Sequence, residues 1–112
     1  MSDPVNLSSR HCKSCEGGTP TLPQNEIREF LERLPGWASD GRAIARTFTF
    51  KNHYETMAFV NAVAFVSHRE DHHPVMEVGY KTCAVRYTTH AAGGLTENDF
   101  ICAAKVDALL AG

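Results

Sequence analysis

The segment that opens at Asn52 constrains this chain more than any other, because from Met57 to Val66 it puts apolar residues on nearly every side of a helix. Asn52 with Glu55 three residues on is an N-cap signal, in which a short polar side chain accepts N–H groups that the first helical turn leaves unpaired. Pro74 sets the other limit, since its ring disfavours helical geometry in the residue before it; the helix must finish near Glu70 to His73. One sheet face cannot bury a helix that is apolar nearly all round. In a chain of 112 residues the economical second cover is another copy of the chain, so homo-oligomerisation is expected.

The pattern on either side completes the fold. Thr21 and Gln24 have capping-box spacing, and Ile27, Phe30, Leu31 and Leu34 follow at helical intervals until Pro35-Gly36 ends the run. Residues 37–39, a turn at Asp40-Gly41 and residues 43–50 read as a hairpin with Ile44, Phe48 and Phe50 on one face. Residues 75–79 and 82–89 form a second hairpin, joined near Gly79-Tyr80-Lys81. Thr96 and Asp99 open a last helix with a stripe of Phe100, Ile101, Ala104 and Ala108. The order is α-β-β-α-β-β-α: a single α+β domain over residues 21–112, with a four-stranded antiparallel sheet packed by helices.

Residues 1–20 are polar, with Ser, Gly and Pro, and read as an irregular N-terminal arm, mobile or docked on the surface and dispensable for activity. Cys12 and Cys15 form a Cys-x-x-Cys there. Neither a further ligand pair for zinc nor the strand-then-helix setting of a redox motif accompanies it, so reduced thiols are expected. Cys83 and Cys102 fall inside regular elements and read as small core residues. The net charge of −2, with no basic stripe, speaks against nucleic-acid binding. With no h-region at the start and no run of the roughly 20 apolar residues a membrane span needs, a soluble, cytoplasmic protein is expected.

Three of the six histidines gather in one stretch. Pairing partners in an antiparallel hairpin have nearly constant summed numbers, which brings His90 beside Asp71 to His73. Imidazoles exchange protons near neutral pH, so their convergence points to acid/base work or to a metal site. Each residue also has a plainer role open to it. His72 or His73 could cap a helix end, Asp99 holds the capping-box position, and Tyr80 could simply pack in its hairpin. His11 and His53 read as surface residues. A zinc site formed by His68, His72 and His90 is an alternative, although no His-Glu-x-x-His arrangement is present and Pro74 breaks the helix close to His72.

His72-His73-Pro74, Tyr80, His90 and Asp99, in this order and spacing, resemble the signature of the pterin-4a-carbinolamine dehydratases. The resemblance runs from about Thr21 to the C-terminus, through Leu34-Pro35-Gly36-Trp37, the strand around Phe48 and the stretch Gly93 to Phe100. It departs at position 68, where His68 stands in place of a common Glu. The resemblance implies a hydro-lyase that dehydrates a 4a-hydroxytetrahydropterin to the quinonoid dihydropterin, recycling the pterin of an aromatic amino acid hydroxylase. It implies His72, His73 and His90 as catalytic residues, with His73, Pro74, Tyr80 and Asp99 touching substrate, and it implies neither cofactor nor metal. It further implies a homodimer or homotetramer. A non-catalytic interaction module is the alternative from another class, since some members of that family bind a transcription factor.

Overall fold

Alternation along one strand sets the layers of the molecule. Cys83, Val85 and Tyr87 are fully buried while Thr82 and Arg86 are exposed, so a single face of this strand carries the core. A computed structural model of the protein describes residues 6–14 and 20–111. After a 3-10 turn at Leu7–Ser9 come α1 (Gln24–Glu32), β1 (Ala38–Ser39), β2 (Ile44–Thr49), α2 (His53–Glu70), β3 (Val75–Val78), β4 (Thr82–Tyr87) and α3 (Glu97–Ala108). This is the expected α+β order. The four strands are antiparallel in the sequence β1-β2-β4-β3, with the two hairpins joined through β2 and β4.

The central helix ends where the sequence requires. Asn52 Oδ1 accepts the Glu55 N–H at 2.9 Å and fixes the start of α2. At the other end Asp71 adopts φ 52°, in the left-handed region. Its N–H bonds to His68 O at 3.2 Å, and the His72 N–H bonds to Ser67 O at 3.1 Å. These two bonds close the helix in the Schellman manner and throw the chain off the helix axis before Pro74. Phe59 and Val63 face the sheet, with the Phe59 ring 4.7 Å from Phe48. Tyr54, Met57 and Phe65 project outward, as expected of a helix with apolar residues all round.

Three local expectations are corrected. The capping box at Thr21 and Gln24 does not form: α1 starts after Pro23, with no side-chain cap. The Leu22 N–H is held by Leu95 O at 2.9 Å, and this long-range bond keeps residues 21–23 extended while Pro23 sets the helix entry. Ala108 is exposed rather than part of the α3 stripe, whereas Phe100, Ile101, Cys102, Ala103 and Val106 are all buried. The first turns of α3 are covered on more than one side because the N-terminal arm packs there. Leu7 of that arm belongs to the core, 4% exposed. Cys15 lies outside the described residues; Cys12, Cys83 and Cys102 are free thiols.

Candidate active site

The β3–β4 register pairs Val75 with Arg86, and the stretches beyond that pair, residues 69–73 on one side and 88–91 on the other, come to line the same cavity. His90 itself leaves the strand. Thr89 and Gly94 form an isolated bridge, and between them His90–Ala92 make a 3-10 turn closed by Gly93 at φ 75°, a conformation glycine adopts without strain. The α2 terminus, the entry to β3 and this turn surround a cavity of about 550 Å³. That lies within the roughly 300–1,000 Å³ usual for small-molecule sites. His72, His73 and His90 all line it, together with Arg69, Thr89 and Asn98.

His72 is the most constrained of the three imidazoles. Its Nε2 lies 2.6 Å from Asp99 Oδ1, and the side chains are 11% and 0% exposed. With Asp99 ionised, Nε2–H donates to the carboxylate and Nδ1 keeps the lone pair. The imidazole also stacks on Tyr87, with ring centroids 5.8 Å apart and planes 6° from parallel. Tyr87 is in turn fixed by a 2.9 Å hydrogen bond with Ser67 Oγ on α2. Burial pushes the Tyr87 hydroxyl above its ordinary value, against the lowering effect of Ser67, so it is a neutral phenol at physiological pH. His73 and His90 are exposed to the cavity mouth.

Asp99 divides its oxygens between architecture and the site. Oδ2 accepts the Thr96 N–H at 2.9 Å, completing the capping box of α3, and the Thr89 hydroxyl at 2.8 Å. Oδ1 is left for His72. The capping and histidine-positioning roles therefore coexist in one carboxylate.

The structure does not bring Tyr80 to this group. Tyr80 sits in the β3–β4 turn, at the end of the hairpin opposite the histidines, 69% exposed, with its ring stacked on His53 at 5.3 Å. Pro74 is half-buried between His73 and β3. The zinc alternative loses its geometry, because Asp71 ends the helix and His72 no longer shares a helical face with His68, while Nε2 of His72 is engaged by Asp99. Among the described residues no group of three His, Cys, Asp or Glu side chains is placed to hold a metal ion.

The residues sequence reasoning missed are Tyr87, Thr89, Asn98 and the arm. Alternation with Cys83 and Val85 and the register opposite Pro74 carried the signal for Tyr87. The arm carried none, since its contacts are isolated long-range ones with no periodic pattern, several of them made by backbone groups. The Cys12 N–H donates to Glu70 Oε1 at 2.7 Å, and Cys12 Sγ lies 3.5 Å from Cys102 Sγ. The hydrogen bond with Cys102, burial and the nearby Glu70 push the Cys12 thiol far above its ordinary value, so it is not a thiolate. At Glu70 burial acts upward, but the Cys12 N–H, His11 and Lys105 outweigh it and hold the carboxyl below the usual value.

Known proteins resemble this chain in sequence and fold. The family profile described as Pterin 4 alpha carbinolamine dehydratase matches residues 20–109. A protein of Nitrosomonas eutropha named "putative pterin-4-alpha-carbinolamine dehydratase" is 61% identical over 98% of this chain and 98% of its own. One of Nitrosospira multiformis with the same name is 60% identical over 93% of this chain and 92% of its own. A crystal structure from Brucella melitensis, described as a transcriptional coactivator/pterin dehydratase, superposes with a TM-score of 0.76 at 36% identity, covering 80% of this chain and 97% of that one. With nearly the whole chain matched, and with a histidine cavity at the point where the two hairpin ends meet α2 and α3, this protein belongs to the pterin 4 alpha carbinolamine dehydratase family.

Proposed function

We propose that the protein catalyses the dehydration of a 4a-hydroxytetrahydropterin to the quinonoid dihydropterin and water. The observation that carries this reading is the buried His72–Asp99 pair, 2.6 Å apart, opening on a cavity that His73 and His90 also line. The chemistry needs a proton delivered to the departing 4a-hydroxyl and the N5 proton removed, so an acid and a base must face one small flat molecule. His72 and His90 share these duties, and His73 orients the substrate. Asp99 touches no substrate in this scheme; it holds His72 in one tautomer and one orientation, as a carboxylate does for a general-base histidine elsewhere. Loss of water from a carbinolamine requires only proton transfers, so the scheme calls on neither cofactor nor metal.

In the cell this dehydration would be one step in recycling the pterin of an aromatic amino acid hydroxylase in the cytoplasm, and a separate reduction of the quinonoid dihydropterin would have to follow to restore the tetrahydropterin. Among the described residues no helix is long and apolar enough to cross a membrane. The acting unit is a homodimer or homotetramer, in which the exposed apolar side of α2 meets a second copy. That same surface supports a second reading, a binding module without turnover.

Stopped-flow decay of freshly generated 4a-hydroxytetrahydropterin, with and without protein, tests the proposal. Wild-type protein should accelerate the decay. His72→Ala and His90→Ala should each lose about 10²–10⁴-fold, the usual share of a general acid or base. Folded wild-type protein that leaves the decay unchanged would falsify the dehydratase reading and favour the binding module.

A further inference from the structure

The family match begins at residue 20, yet residues 12–14 of the arm build part of the wall of the histidine cavity. Two anchors hold them there. The Asn98 carboxamide meets the Lys13 backbone twice, Oδ1 accepting its N–H at 3.0 Å and Nδ2 donating to its carbonyl at 2.7 Å. The Glu70 carboxylate accepts the neighbouring Cys12 N–H at 2.7 Å. Further back, Leu7 is sunk in the core, Lys105 donates to Ser8 O at 2.9 Å and Arg10 pairs with Glu97. Asn98 adjoins Asp99 in α3, and Glu70 is the last residue of α2, two before His72. The arm thus crosses from the helix that carries the carboxylate to the end of the helix that leads into its imidazole.

We propose that residues 12–14 are a substrate-binding strap, a fixed wall that holds a flat heteroaromatic substrate within reach of the three histidines and sets its affinity. This rests on the dehydratase reading. Because the backbone of Cys12 and Lys13 is tied before substrate arrives, closing the cavity on the ligand costs little further ordering, and the wall adds buried contact. The arm falls within the stretch matched by the Nitrosomonas eutropha relative, which spans 98% of this chain.

Three variants test the strap: deletion of residues 1–14, Asn98→Ala, and both together, each checked for folding by circular dichroism and thermal melting. The readouts are Kd for 7,8-dihydrobiopterin, a non-reacting analogue, followed by fluorescence, and KM and kcat for dehydration. Kd and KM should rise about tenfold in each single variant, with a smaller fall in kcat, as expected when ground-state binding is removed. The combined variant should be no worse than the deletion, because Asn98 acts through the strap. Should the deletion unfold for want of Leu7, Asn98→Ala decides alone. Wild-type Kd and KM in folded variants would overturn the strap while leaving the dehydratase intact. A wild-type protein that neither binds the analogue nor speeds dehydration overturns both.

Discussion

At the scale of single residues, Asp99 is where structure and chemistry share one side chain. Asp99→Asn presents an amide N–H2 to one of its two sets of donors, Thr96 N–H and Thr89 on one side or His72 Nε2–H on the other. Leaving a buried donor unpaired costs about 1–3 kcal/mol, so the urea midpoint should fall. If the imidazole inverts its tautomer to suit the amide, kcat should fall by about 10²-fold or more. Steady-state kinetics and unfolding on the same sample check both; unchanged kcat with lowered stability would reduce Asp99 to a helix cap. The convergence of His72, His73 and His90 and the capping position of Asp99 could be read from hairpin arithmetic and capping-box spacing, whereas their roles in a pterin site came only from the family resemblance. Tyr80 misled for the same reason that it was noticed: an aromatic near the histidines in sequence lies at the far end of the hairpin in space. Asn98 was illegible, since it is recognised only by the arm backbone it binds.

At the scale of elements, the end of α2 governs the site. Asp71 stands in the left-handed region, where a Cβ is strained, so Asp71→Gly should raise the unfolding free energy by about 0.5–1 kcal/mol and Asp71→Val should lower it by about 1–2 kcal/mol. A thermal melt of the three proteins gives the order directly; Val equal to Asp would show that the turn has relaxed. One residue earlier, the Glu70 carboxyl is held below its ordinary value of 4.5. The unfolded chain therefore binds more protons as the pH drops, and the contribution of Glu70 is present above about pH 4.5 and lost as pH falls through the lower folded value. Glu70→Gln should flatten the stability profile below about pH 5. Parallel urea titrations from pH 6 downward measure it, and identical slopes in the two proteins would remove Glu70 from the acid transition. Both limits of α2 were legible, because a cap residue and a proline act locally. The start of α1 was not, since the bond from Leu22 to Leu95 that fixes it spans most of the chain.

At the scale of the whole molecule, the arm could not be placed from its own residues, whereas the apolar residues of α2 marked a surface in need of cover. Tyr54 and Phe65 on α2 are 82% and 62% exposed, and Met57 lies between them on the same side. Covering one such aromatic contributes about 1.5–3 kcal/mol, and in a two-fold contact each substitution counts twice. Phe65→Asp should therefore weaken association by about 3–6 kcal/mol, or roughly 10²–10⁴ in Kd, before the cost of desolvating the carboxylate. The β3 edge, with Val75 and Val78 exposed, is a second surface on which copies could pair, and Phe65→Asp leaves it untouched. Sedimentation velocity of wild type, Phe65→Asp and Val78→Lys separates the two. A smaller species for Phe65→Asp alone assigns the contact to α2, and a smaller species for each assigns one interface to each surface. If wild type is monomeric at micromolar concentration, the apolar side of α2 is not a self-contact at all, and a partner of another kind must explain why this helix leaves two aromatic rings in water.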